Sequence, residues 1–110
     1  MNKPTLFDFI FDIVRKIPEG RVTSYGAIAK CIGSATSARI VGWALNAAHQ
    51  YPDVPAHRVV NSKGLLTGKH HFGQPDEMQK RLESEGVIVT NDCVQNFKQV
   101  FWDPITLLNE

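Results

Sequence analysis

The sequence lacks any apolar run approaching the ~20 residues that a membrane-spanning helix requires. It also lacks the basic start and apolar stretch of a secretory signal, so a cytoplasmic protein is the expectation. Cysteine is scarce: Cys31 and Cys93 stand far apart with no CxxC pair, which argues against a disulfide framework and leaves both thiols expected to be reduced. The four histidines, His49, His57, His70 and His71, miss the spacing of metal-binding motifs such as HExxH, so neither zinc nor any other cofactor is expected. Charge of one sign is equally sparse. Lys and Arg number 12 against 11 Asp and Glu, and a formal net charge of +1 says nothing by itself about nucleic acid. Repeats, linkers and low-complexity stretches are missing too. What remains is one domain of 110 residues, 43% hydrophobic and 21% charged, with enough apolar material for a core.

The charge that is present is unevenly placed. Between Gly20 and His71 lie six basic residues (Arg21, Lys30, Arg39, Arg58, Lys63, Lys69) and one acid, Asp53. From Phe72 onward seven acids stand against three bases. A basic middle of this kind fits a face for phosphate backbones, and it fits ordinary solvated side chains equally well.

Along the chain, Phe7, Ile10, Phe11, Val14 and Ile17 recur at the spacing of one helix face, with Pro4 suited to the first turn and Pro18 and Gly20 as the stop. Thr23 or Ser24 can cap a short helix from Tyr25 to about Cys31, which Gly33 ends. A third helix is expected from about Ser37 to His49, after the small polar stretch that begins at Ser34. Two short helices joined by a tight turn read as a helix-turn-helix. The third helix would bury Val41, Ala44, Leu45 and Ala48, while its opposite face presents Arg39, Gly42, Trp43 and Asn46. Glycine inside a helix costs roughly 1 kcal/mol relative to alanine. Gly42 therefore points to a close approach, either of another backbone or of a helix packed inside the domain, and the pattern does not choose between them.

Beyond Tyr51-Pro52 the helical periodicity disappears. Val54 to Val60 is compact and apolar apart from His57-Arg58, Asn61 to Gly64 makes a turn, and Leu65 to Gly68 is expected to return as a hairpin strand. Pro75-Asp76-Glu77 opens a last clear helix, with Met78 and Leu82 inward and Gly86 at its end. Glu85 at that end opposes the helix dipole and calls for a stabilising partner. Val87-Ile88-Val89, the Asn91-Asp92 turn and the aromatics Phe97, Phe101 and Trp102 are expected to fold back over the core.

Three blocks resemble, in order and spacing, the DNA-binding domain of the O6-alkylguanine-DNA alkyltransferases. They are IPEGRVTSYGAIAKCIG from Ile17 to Gly33, SARIVGWAL from Ser37 to Leu45, and the stretch from PAHRVVNSKG at Pro55 to ESEGV at Val87. The resemblance covers about Ile17 to Val87. It implies a mainly α fold with small β elements, a winged helix-turn-helix-like DNA-binding domain of that family. A single domain over 1–110, with a C-terminal extension over 88–110, is the corresponding expectation.

Active members of the family carry Pro-Cys-His-Arg, whose cysteine takes the alkyl group from the guanine oxygen; here the motif reads Pro55-Ala56-His57-Arg58. A methyl side chain has neither the lone pair nor the titratable proton that such a displacement needs, so no catalytic residue is expected. By resemblance, His57 and Glu85 match the base and its orienting carboxylate. Without a nucleophile they read as a pair that holds a tautomer and a buried loop. The combination is similar to the alkyltransferase-like subgroup, which lacks the cysteine, usually has tryptophan there, and passes recognised alkylguanine to nucleotide excision repair. Alanine instead of tryptophan implies a roomier pocket that favours bulky alkyl groups. Trp43 after Gly42, and the extension beyond Val87, also look like that subgroup.

A mechanism follows from the resemblance. Reaching O6 inside a duplex requires extruding the nucleotide, at a cost of a few kcal/mol. Arg39 matches the finger that fills the gap, and Tyr25 the tyrosine that crowds a phosphate and rotates the nucleotide outward. Ser37, Ala38 and Gly42 would let the helix lie close to the backbone in the minor groove. The lesion pocket is expected from Tyr25, Ala56, Val59 and Lys69, with Lys69 either a cationic rim or a plain surface lysine. His70 and His71 are expected in exposed loop. Read without the family, Trp43 is a core or partly covered aromatic, Tyr25 keeps its ring in the core and its hydroxyl in water, and Cys31 is inert core. The expected function is non-catalytic sensing, by a monomer, of O6-alkylguanine in double-stranded DNA. Two other classes stay open: an active or mutated alkyltransferase, and a helix-turn-helix regulator that never flips a base.

Overall fold

The first helix, α1, spans Leu6–Arg15 and starts on Thr5, whose side chain accepts the Asp8 N–H while the Asp8 carboxylate accepts the Thr5 N–H. This reciprocal capping box satisfies two otherwise orphaned donors. The computed structural model describes residues 5–33 and 36–109; Pro4, expected in the first turn, and Ser34 lie outside the described residues. Helix α1 packs with α2 (Tyr25–Ile32) and α3 (Ala38–Asn46) around a core of Ile10, Val14, Ile17, Ile28, Val41 and Ala44. Ser24 caps α2 by accepting the Ala27 N–H, and Ser37 caps α3 by accepting the Ile40 N–H. The pair α2 and α3 is the expected helix-turn-helix.

Helix α3 ends at Asn46 rather than running to His49, and residues Ala48–Gln50 tighten into a 3-10 turn. Ala48 stays buried, three residues after Leu45. A three-residue step satisfies an α-helix and a 3-10 helix equally, so the apolar spacing could not tell them apart. Pro52, which has no N–H, cannot continue either one.

A second core holds Val22, Val60, Leu66, Met78, Leu82, Val87, Val89 and Val94. It lies under α4 (Glu77–Ser84) and four short strands, β1 (Thr23–Ser24), β2 (Val59–Val60), β3 (Val89–Thr90) and β4 (Cys93–Val94). The expected hairpin between Val54–Val60 and Leu65–Gly68 does not form. Instead β2 pairs in parallel with β1, Thr23 opposite Val59, and Leu65 bridges Cys93. The reason is local: Asn61 Oδ1 accepts the N–H groups of Lys63 and Leu65, closing the turn on itself and directing Leu66 toward Asp92. The real hairpin is β3–β4, around Asn91 and Asp92 at φ 52° and 60°, the positive angles of a two-residue primed turn.

The tail folds back as expected. Helix α5 (Phe97–Val100) places Phe97 and Val100 on the second core, and Trp102 packs on the first. Val22 accepts the Trp102 N–H at 2.7 Å and donates to the Val100 carbonyl at 3.0 Å. The tail thus staples both cores together.

Candidate nucleic-acid interface

The exposed side of α3 is the first element of the site. Val41, Ala44 and Leu45 commit one face to the core, which leaves Ala38, Arg39, Gly42, Trp43 and Asn46 on the other. A Cβ built on Gly42 would meet nothing within 4 Å, so packing inside the domain does not require this glycine. Trp43, read from sequence as core or partly covered, is instead 56% exposed. Its indole carries the Arg39 guanidinium 5.4 Å from the ring centroid. Among the described residues Arg39 has no carboxylate partner.

That face borders a cavity of about 420 Å³, within the ~300–1,000 Å³ usual for small-molecule sites. Tyr25, Ala38, Arg39, Gly42 and Ala56 line it, so the structure brings five of the expected residues together. Ser37 sits just outside as the exposed cap of α3. Opposite α3 the wall is the loop through Thr67 and Gly68, with His71 and Phe72. A Cβ at Gly68 would stand 2.7 Å from the Tyr25 hydroxyl, so only glycine permits this approach. The Tyr25 hydroxyl is therefore turned against the loop, and burial pushes its pKa up despite the opposing Thr67 side chain.

Two expected pocket residues are elsewhere. Val59 is wholly buried in the first core, paired with Thr23 across the strands, and does not reach the cavity. Lys69 turns away to bind Asp92 at 2.6 Å, so it is neither a cationic rim nor an unattached surface lysine. His71 and Phe72 take their place; His71 is exposed, as expected, but it sits in a 3-10 turn over Lys69–Phe72 rather than in loop, and it also lines the wall. The basic middle of the chain is correspondingly thinner, since Arg58 and Lys69 are held in ion pairs and Arg21 donates to the Gln99 carbonyl.

Behind Ala56 lies a buried polar cluster. His57 Nε2 donates to Glu85 Oε2 at 2.9 Å, the pairing expected from sequence. Arg58 adds what sequence missed: its Nε and Nη2 donate to the two oxygens of Glu85 at 3.0 and 2.7 Å, and its Nη1 donates to the Ile17 carbonyl at 2.8 Å. The side chains of Arg58 and Glu85 are 15% and 10% exposed. Burial alone would raise the Glu85 pKa, but the Arg58 fork and the His57 bond overcome it and hold the carboxyl at about 2. Burial keeps the His57 ring below the ordinary imidazole value, against the Glu85 bond that opposes it. The ring is thus neutral near pH 7, with its proton on Nε2 because a carboxylate can only accept. Its buried Nδ1 has no hydrogen-bond partner among the described residues. The unfavourable position of Glu85 at the end of α4 was the available signal for Arg58.

Residues 6–87 match the family described as 6-O-methylguanine DNA methyltransferase, DNA binding domain. The chain belongs to this family. Alkyltransferase-like protein 1 of Schizosaccharomyces pombe is 32% identical over 108 residues, covering 94% of this chain and all of that protein. The DNA base-flipping protein of Escherichia coli K12 is 39% identical over 98 residues, covering 86% of this chain and 71% of that one. The crystal structure of S. pombe Atl1 in complex with damaged DNA containing O6-carboxymethylguanine superposes with a TM-score of 0.76 at 33% identity, over 93% of this chain and 98% of the other. The mainly helical fold expected from the three blocks is therefore the fold of the family.

Proposed function

We propose that this chain is a DNA-damage sensor. It extrudes an O6-alkylguanine from double-stranded DNA, holds it in the cavity between α3 and the 67–72 loop, and leaves the alkyl group in place. The observation that carries this reading is the chemistry of the cavity wall. Ala56 stands beside the His57–Glu85 pair, at the position the family motif gives to its nucleophile, and among the described residues no thiol lines the cavity. Cys31 lines a separate groove between α1 and the tail and is half-buried rather than core, and burial pushes its thiol pKa up. Cys93 lies on the β3–β4 hairpin. The DNA complex of the S. pombe relative and the name of the E. coli relative support the ligand and the base extrusion.

In this reading Arg39 fills the vacated stack, Tyr25 crowds the phosphate, and Ser37, Ala38 and Gly42 let α3 approach the backbone. The roomy cavity at Ala56 accepts bulky alkyl groups. A lesion that is held but not repaired needs a later incision step, and we assign that step to nucleotide excision repair, acting on a complex with one copy of this cytoplasmic chain.

The test has two readouts. Intact mass after incubation with O6-methylguanine duplex is expected to stay unchanged, with the lesion recovered whole. Equilibrium binding is expected to favour that duplex over an otherwise identical undamaged one. A stoichiometric gain of one alkyl group would overturn the sensor reading; equal affinity for both duplexes would leave a DNA-binding regulator.

The same geometry predicts the outcome of restoring a thiol. Ala56→Cys is expected to gain slow, single-turnover alkyl transfer, because neutral His57 keeps the Nδ1 lone pair available as a base. In that step the thiol proton passes to His57 Nδ1, the thiolate sulfur bonds the alkyl carbon, the carbon–O6 bond breaks, and the released guanine takes up a proton at N1. Mass spectrometry of the variant, with His57→Ala in the same background as control, measures it.

A further inference from the structure

Of the aromatic rings that line the cavity, Trp43 on α3 and Phe72 on the opposite wall each have an arginine over them. The two pairs are not equivalent. Arg81, 5.3 Å from the Phe72 centroid, is also anchored to Glu77 at 2.7 Å. Arg39, 5.4 Å from the Trp43 centroid, has no carboxylate partner among the described residues. Arg81 is thus a fixed strut for Phe72, whereas Arg39 can leave Trp43 at the loss of one exposed cation–π contact.

Trp43 itself has no role in the core. It lies on the face of α3 opposite Val41, Ala44 and Leu45 and leaves more than half of its surface in solvent. A large aromatic kept exposed at the mouth of a cavity is a stacking platform, since every nucleobase has a π-face that an indole can cover.

We propose that Trp43 and the DNA exchange partners. In the free protein Trp43 parks Arg39. On binding, Arg39 leaves the indole for the gap in the base stack, and the extruded purine takes the place of Arg39 on the indole. Each departing group vacates the surface that the other needs, so neither the indole nor the duplex gap is left uncovered. Trp43 becomes a specificity-determining residue for extruded bases over stacked ones. This inference rests on the sensor reading above.

The experiment compares the wild-type chain with Trp43→Leu and Trp43→Phe, on duplexes with and without one O6-methylguanine. Because Trp43 is exposed, all three are expected to fold alike. Trp43→Leu is expected to lose roughly tenfold in affinity for the lesion duplex and little for the undamaged one, and Trp43→Phe to retain most of it. The Trp43 emission, taken as wild type minus Trp43→Phe so that Trp102 cancels, is expected to be quenched by lesion duplex far more than by undamaged duplex. Wild-type affinity in Trp43→Leu, or Trp43 emission unmoved by lesion DNA, overturns the exchange while leaving a lesion-selective wild type intact as a sensor. A wild type that does not distinguish the duplexes overturns both.

Discussion

Glu85→Ala is expected to lower the free energy of unfolding by about 3–5 kcal/mol, the usual cost of removing one partner of a buried ion pair. The Arg58 guanidinium, 15% exposed, would keep only the Ile17 carbonyl, and His57 Nε2 would lose its acceptor. For a domain of this size that corresponds to a fall in Tm of roughly 15 °C or more. Glu85→Gln, which keeps one acceptor oxygen but no charge, is expected to fall between the two. The pH dependence gives an independent reading of the same interaction. The folded carboxyl, at about 2, lies below its ordinary value of 4.5, so its contribution of about 3 kcal/mol is fully present above pH 4.5 and lost as pH falls through about 2. His57 adds an earlier loss. Its folded pKa lies below 6.5, so the unfolded chain takes up a proton first as pH drops from that value. Denaturant unfolding from pH 7 to pH 3 should therefore show wild-type stability falling in both windows and Glu85→Ala losing the lower one. A loss under about 1 kcal/mol in Glu85→Ala at pH 7 would mean that water screens the cluster.

Arg39→Ala is expected to abolish most of the preference for O6-alkylguanine duplex, at a cost of roughly tenfold or more in affinity for it. If Arg39 only touched a phosphate, its loss would weaken damaged and undamaged duplexes equally and reduce the salt slope by about one. A finger does more. Without it the vacated stack collapses, and extrusion becomes less favourable by the cost of that gap. Fluorescence of 2-aminopurine at the target position reports extrusion directly and should fall in the variant. Stability is a clean control, because the exposed Arg39–Trp43 contact contributes only about 0.5–1 kcal/mol. Equal weakening on both duplexes with unchanged extrusion would reduce Arg39 to a backbone contact.

Interactions between near neighbours in the chain are legible in the sequence, and those between distant residues are not. The cap of α2 was legible because Ser24, one of the two residues offered for it, acts on an N–H group three residues away. The buried stripe of α3 was legible because a helix repeats every few residues, yet its end was not, since Ala48 suits two kinds of helix. The 65–68 segment was misread because a two-residue apolar pair carries no period, and the Asn61 side chain decided where it went. In the candidate site, Tyr25, Ala38, Arg39, Gly42 and Ala56 were placed through motifs, and all five line the cavity. Val59, three residues from Ala56, was captured by the core, and Lys69, next to Gly68, by Asp92.

The chain by itself determined helices α1 to α4, its family and the alanine at position 56, because spacing, capping and side-chain chemistry are properties of neighbouring residues. Only the tertiary structure decided that Arg58 grips Glu85 across 27 residues, that Lys69 is withdrawn to Asp92 across 23, and that Trp43 stands in solvent under Arg39. Those outcomes are competitions among charged and aromatic groups for partners far along the chain. They are settled by which surfaces the two cores leave facing one another, and no local pattern encodes that.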